Sequence, residues 1–317
     1  MRIVSLLPSA TEIVCAVGAR DELVGVSHEC DFPTGVGELA VLTRPRASLP
    51  GNSGGIDRAV REMLRDAIAV YEVDVNLLHE LRPDVIVTQD LCDVCAVSID
   101  DVRSALRSLA RDDVTLVSLR PTLLGEVWND VRRVGVALGR AAAGEDEAVR
   151  LERGCEEISR RAAVSSVRPT VLTIEWIDPV MVGGTWMPEL VTLAGGQPLV
   201  TVPGQHAPTL SMNELRGLDP DVVLIKPCGF DLERTASEMA LLGEMLPWKT
   251  WTAVSEGRVF VADGNAYFNR SGPRLLESLE ILAACLHPSL FPDFLERHVP
   301  SMRRVSRDLA LAPCVSA

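Results

Sequence analysis

Leu81-Arg82-Pro83-Asp84-Val85-Ile86-Val87 and Leu218-Asp219-Pro220-Asp221-Val222-Val223-Leu224 are two copies of one pattern. Each reads as the end of a helix, a Pro-Asp turn and a short apolar run. Proline biases the residue before it away from helix, and the β-branched run that follows suits a strand buried on both faces. Outward from the first copy, residues 3–7, 23–27, 84–88 and 114–119 read as strands. Residues 9–17, 56–66 and 98–109 read as helices between them. Outward from the second copy, strands at 170–175, 221–226 and 258–262 alternate with helices at 187–194, 231–242 and 271–286. Such alternation implies an α/β architecture with mostly parallel sheets.

Residues 121–167 break the rhythm. No strand is visible there, and Leu124, Val127, Trp128, Val131, Val134 and Leu138 recur at helical spacing. Continuous helix over this stretch would span roughly 60 Å, with Gly139 and Gly144 placed to bend or break it. The expected fold class is therefore α/β: two similar α/β lobes joined by a single long backbone helix, with a ligand cleft between the lobes. The expected boundaries are 1–120 for the first lobe, 121–167 for the connector and 168–317 for the second lobe, which ends in a short helix and a tail. A length of 317 residues agrees with about two domains.

Composition narrows the function. Subtracting 31 Lys+Arg from 44 Asp+Glu leaves a net charge of −13, and aromatic residues make up 4%. An acidic surface repels phosphate backbones, and scarce aromatics make poor base-stacking platforms, so nucleic acid is not an expected partner. No apolar run approaches the ~20 residues that cross a bilayer, so membrane insertion is not expected either. The fold reads as starting at residue 2, without the basic and apolar regions of a signal peptide. That reading places the protein in the cytoplasm; a periplasmic or surface-anchored place would require a leader removed from the chain. No GxxxxGK[ST] or GxSxG motif is present, and the GxGxxA match at 35–40 follows Pro33 rather than a strand. Whether the chain is an enzyme is left open, with a binding protein favoured.

In open α/β sheets, ligands sit beyond the carboxyl ends of the strands. Those positions hold His28-Glu29-Cys30-Asp31-Phe32-Pro33, Gln89 to Cys95, Glu175-Trp176, Pro227 to Asp231, and Asp263 to Arg270. Four of the eight cysteines, Cys30, Cys92, Cys95 and Cys228, fall in these loops. Cys15, Cys155, Cys285 and Cys314 read as small buried hydrophobes or tail. Three readings stand for the strand-end set. The thiols pack loops, they bind Zn²⁺ or an iron–sulfur cluster with His28 as a further ligand, or they touch an organic or organometallic ligand directly. Cys92-x-x-Cys95 also fits a redox pair. Trp176, Trp186, Phe230, Tyr267 and Phe268 lie in or near the second lobe's loops and suit a large flat ligand. Arg270 and Arg274 flank Ser271-Gly272-Pro273, where they either hold an anion at a helix start or pair with Glu277 and surface acids. His206, in a Pro-rich loop, is placed to approach the cleft.

Several of these motifs in their order resemble one family. The opening strand with Pro8-Ser9-Ala10-Thr11-Glu12, the strand leading to Cys30-Asp31-Phe32-Pro33, the paired Leu-x-Pro-Asp strands, Val182-Gly183-Gly184 before Trp186, and Ser271-Gly272-Pro273-Arg274 resemble the iron-siderophore and vitamin B12 substrate-binding proteins of ABC importers. The resemblance covers about residues 1–290 and is closest to the B12-binding branch. It implies two α/β lobes joined by one long helix, little hinge motion, and a cobalamin or other corrinoid-type metal complex as ligand. It also implies cleft positions at Pro8, Ser9, Phe32, Trp186, Tyr267 and Phe268. The sequence departs from the family in four ways. It carries no leader and has strand-end cysteines. Residues 51–73 form an insertion. Asn76 and Asn213 stand where transporter-docking members carry acids, which weakens the case for docking to an ABC transporter.

Overall fold

The computed structural model describes residues 1–46, 51–65, 70–89 and 113–314. The expected helix at 98–109 lies outside them.

The first lobe is built on five parallel strands in the order β3-β2-β1-β6-β7. They are β1 (Ile3–Ser5), β2 (Leu23–Val26), β3 (Ala40–Val41), β6 (Val85–Gln89) and β7 (Thr115–Leu119). A separate two-stranded antiparallel ribbon pairs β4 (Thr43–Pro45) with β5 (Tyr71–Val73). Among the described residues the first lobe's helices are α1 (Pro8–Ala16), α2 (Ser53–Arg65) and α3 (Val75–Leu81).

The second lobe carries a seven-stranded sheet in the order β10-β8-β11-β12-β13-β14, with β9 on β8. Its members are β8 (Thr170–Trp176), β9 (Met181–Val182), β10 (Gln197–Pro198), β11 (Val222–Ile225), β12 (Val259–Ala262), β13 (Met302–Val305) and β14 (Leu311–Pro313). The pairings among β10, β8, β11 and β12 are parallel; those of β9 with β8, β13 with β12 and β14 with β13 are antiparallel. The expected tail is thus a hairpin that extends the sheet.

The repeat has a physical basis. In the first copy the Asp84 carboxylate accepts a hydrogen bond from the Arg2 backbone N–H at 2.7 Å, fixing the start of β1 beside β6. In the second copy Asp221 accepts from the Thr170 backbone N–H at 2.7 Å, fixing the start of β8 beside β11. The same turn residue sets the register of the same strand pair in both lobes.

The connector is not one helix. It comprises α4 (Leu124–Ala137) and α5 (Ala141–Ala162), separated at Gly139, which takes φ +68°. Only a residue without Cβ enters that region at low cost, so the chain turns there. Helix α4 packs on the first lobe, while α5 crosses to the second. At the start of α5 Arg140 reaches Glu22; at its end Arg161 donates to Asp293 at 2.7 Å and to the Leu290 carbonyl at 2.7 Å. Its 22 residues span about 33 Å.

The remaining helices are α6 (Met187–Leu193), α7 (Met212–Arg216), α8 (Leu232–Ser237), α9 (Met239–Met245), α10 (Thr252–Ser255), α11 (Leu275–Leu286) and α12 (Pro292–His298). The helix expected over 231–242 breaks at Glu238. Helix α11 is apolar on nearly every face and correspondingly buried along its whole length.

Candidate functional site

The two lobes meet through a cluster of charges at their facing strand-end loops. Pro8 opens α1, where its missing N–H costs nothing. Ser9 follows and is buried, and Glu12 sits one turn further along. From the second lobe, Arg270 and Arg274 flank the turn that leads into α11. Arg274 grips Glu12 with two hydrogen bonds, of 3.0 and 2.6 Å. Arg270 donates to Glu12 at 3.2 Å, to Asp31 at 2.6 and 3.0 Å, and to the Asn265 side-chain oxygen at 3.0 Å. Asn265 in turn donates to Asp31 at 2.9 Å, and the Ser271 hydroxyl donates to Ser9 at 3.5 Å.

The exposed Asp31 is one of the surface acids expected for the arginines, and the buried Glu12, rather than Glu277, is their other hydrogen-bonded partner. The pairing spans 258 residues of sequence, and local spacing carries no trace of it. Burial alone would raise the Asp31 carboxyl, but Arg270, with help from Asn265 and Arg274, outweighs it and holds the group below its ordinary value. Burial likewise works against the Arg270 charge, and Asp31 and Glu12 overcome it, raising its pKa. Two cations face two anions, so the cluster is neutral. Phe32 projects beside it, 43% exposed, with the Arg274 guanidinium 4.2 Å from its ring centre and 5.6 Å from that of Tyr267.

Behind the cluster, at the carboxyl end of β11, lies the fully buried Lys226. Its ammonium donates to Glu175 at 2.9 Å and to Asn269 at 2.8 Å, which satisfies a charge that could not otherwise stay in the core. Trp176 packs tilted against Phe230 with ring centres 5.2 Å apart. Trp186 and Phe268 are 6% and 1% exposed, and the Trp186 indole N–H donates to the Phe268 carbonyl at 2.8 Å. As arranged, these two present almost no surface to a ligand, and Phe230 is nearly as buried.

Of the strand-end cysteines, Cys30 and Cys228 lie among the described residues. Cys30 is buried against the Thr11 hydroxyl at 3.1 Å. Burial pushes its thiol up to about 11, although the Thr11 hydrogen bond partly offsets this, so the free thiol is protonated at neutral pH. Cys228 is half-buried in the loop after β11, and Cys92 and Cys95 lie outside the described residues. Among the described residues no group of three or more His, Cys, Asp or Glu is arranged to hold a metal ion.

His28 is held in one orientation. His28 Nδ1 lies 2.7 Å from the Thr43 hydroxyl, which also bonds Ser27 at 3.1 Å, and Nε2 lies 4.0 Å from the Glu29 carboxylate. Burial lowers the His28 pKa against the pull of Glu29, and the ring is neutral at pH 7. His206 is exposed on the loop that backs Gly184. Glu12, Asp31, Asn265 and Lys226 were not singled out from the sequence. A carboxylate within an apolar helix face and a lysine closing a buried strand are the signals that mark two of them.

No helix among the described residues is long and apolar enough to cross a membrane. The chain is 20% identical over 298 residues to an uncharacterized ABC transporter substrate-binding lipoprotein, YvrC, of Bacillus subtilis, covering 92% of this chain and 82% of the relative. Its fold matches that of a periplasmic heme binding protein from Pseudomonas aeruginosa with a TM-score of 0.68 at 21% identity, covering 99% and 98% of the two chains. It also matches the periplasmic vitamin B12 binding protein BtuF of Vibrio cholerae with a TM-score of 0.62 at 20% identity, covering 91% and 97%. The cytoplasmic location expected from the sequence is corrected by these relatives, which are lipoprotein or periplasmic binding proteins. Residues 3–266 match the family described as Periplasmic binding protein, and with that match over most of its length the chain belongs to that family.

Proposed function

We propose that this chain is the substrate-binding protein of an ABC importer and that it captures a corrinoid in the cleft between its lobes. The reading takes the lobes as residues 1–120 and 168–317, with 121–167 between them. Its chief support is the neutral charge cluster. Haem carries two carboxylates that need cations, whereas a corrin ring is rimmed by neutral amides. Arg270 and Arg274 are already matched by Glu12 and Asp31, so the cluster offers no surplus positive charge to two propionates. Phe32 offers an exposed aromatic face to a flat ring. His28, in the same strand-end loop as Phe32, is a candidate imidazole ligand for the metal of such a complex. The vitamin B12 binding relative agrees with the reading.

Asn76 and Asn213 argued against docking to a transporter. Asp74 and Glu214, exposed at the starts of α3 and α7 on opposite lobes, supply carboxylates next to those positions.

Calorimetry with cyanocobalamin, cobinamide and haem tests the ligand, with tryptophan quenching as a second readout. Micromolar or tighter binding of a corrinoid, with haem at least about tenfold weaker, is the expected result. Binding of haem alone would overturn the corrinoid assignment, and binding of none would overturn the cleft reading.

A further inference from the structure

The start of α2 does not stay on its own lobe. It reaches the second lobe and is held there by several independent contacts. The Ser53 backbone N–H donates to both carboxylate oxygens of Glu238 at 3.0 Å, and the Ser53 hydroxyl donates to the same carboxylate. Arg234 donates to the Gly51 carbonyl and, at 2.9 Å, to Glu238. Ser53 is fully buried and Glu238 is 6% exposed. A carboxylate at a helix start satisfies free N–H groups and complements the helix dipole. Here that carboxylate comes from 185 residues away, in addition to the local cap that Asn52 provides to Gly55 at 2.7 Å.

The approach is too close for a side chain at residue 54. A Cβ there would run into the Asp178 carboxylate, lying 2.9 Å from its Cγ. One turn later, Ile56 packs against both cores: that of the first lobe, with Leu6, Val60 and Met63, and that of the second, with Phe230 and Val182. Arg234, while bound to Gly51, stacks 4.6 Å over the Phe230 ring, whose other neighbour is Trp176. The latch therefore sits on the second lobe's aromatic pair.

We infer that α2 is a strap which latches the first lobe to the second through Glu238 and Arg234, and that a bulky ligand enters the cleft only after this latch opens. The latch stands on contacts alone; only the ligand-entry step rests on the proposed function. The break between α8 and α9 falls at Glu238, the residue whose carboxylate reaches across. The Ile56 contacts make the strap a hydrophobic wedge as well as a polar hook, so opening exposes apolar surface on both lobes.

Cysteines at 54 and 178 would meet within disulfide reach, because the Gly54→Cys side chain points at the Asp178 position and Asp178→Cys removes the obstructing carboxylate. The rate at which this disulfide forms under mild oxidant, followed by peptide mapping, reports how much of the protein has the strap latched, without any ligand. Adding Glu238→Ala should slow formation by roughly tenfold or more, the scale expected for losing hydrogen bonds to a charged group. An unchanged rate overturns the latch. The crosslinked protein should take up cyanocobalamin at least about tenfold more slowly than the same protein after reduction and desalting, a loss of the same scale. Equal uptake overturns the gating step. If the reduced protein takes up no corrinoid, the proposed function fails, and the crosslinking rate still decides the strap.

Discussion

Glu12 and Asp31 share Arg270, Glu12 alone also holds Arg274, and burial should decide what each carboxylate is worth. The Glu12 side chain is 2% exposed and the arginines facing it 9% and 11%, whereas Asp31 is half in solvent. Removing one member of a buried pair strands the other charge, so Glu12→Gln should cost about 3–5 kcal/mol in urea unfolding. Asp31→Asn should cost about 0–1 kcal/mol, because solvent screens an exposed pair. The pH dependence has a definite sign. The folded Asp31 carboxyl titrates below its unfolded value of about 3.9, so its contribution is full above that pH and is lost as pH falls through the folded value. The gap between wild type and Asp31→Asn should therefore be constant from pH 7 to about 5 and close only below about 4. Equal costs for the two variants would mean that burial is not what ranks them. Asp84 and Asp221 were readable in advance because their turn repeats. Glu12 was not, because its meaning depends on arginines brought from the other end of the chain.

At the scale of elements, the glycines of the connector have two different jobs. The sequence marked Gly139 and Gly144 alike as places to bend or break a helix. Gly139 does break it, but Gly144 lies inside α5 and instead lets α4 come close: a Cβ on it would lie 3.0 Å from the Gly135 Cα and 3.1 Å from the Val131 carbonyl oxygen. Both obstacles are backbone, which cannot turn aside as a side chain can. Alanine normally gains about 1 kcal/mol over glycine within a helix. Gly144→Ala should nevertheless destabilise by about 1–3 kcal/mol, since overpacking a tight contact outweighs propensity. A gain in stability would show that the two helices can move apart freely. The longer strands of both lobes were legible from their apolar runs. The ribbon strands β4 and β5 and the hairpin β13–β14 were not, because Thr43-Arg44-Pro45, Tyr71-Glu72-Val73, Met302-Arg303-Arg304-Val305 and Leu311-Ala312-Pro313 carry charges or a proline and form no apolar run.

The whole molecule was legible as two lobes and a connector, but not as one cooperative body. One buried cluster runs from Ile3 and Val14 in the first lobe, through Val131, Leu151 and Ile158 in the connector, to Leu190 and Leu279 in the second. Each lobe keeps a smaller cluster on its outer side. With α5 buried against elements of the second lobe and α4 against the first, neither lobe can melt without exposing part of the shared core. The charge cluster and the α2 strap add ties between the lobes, and both join residues far apart in the chain that no local pattern connects. Urea unfolding should therefore follow a single transition. Four of the five tryptophans, Trp176, Trp186, Trp248 and Trp251, belong to the second lobe, so fluorescence reports mainly that half while far-UV circular dichroism reports the whole chain. Coincident midpoints are expected from a shared core. A fluorescence midpoint displaced from the dichroism midpoint would mean that the lobes unfold independently and that the cluster through α5 couples them only weakly.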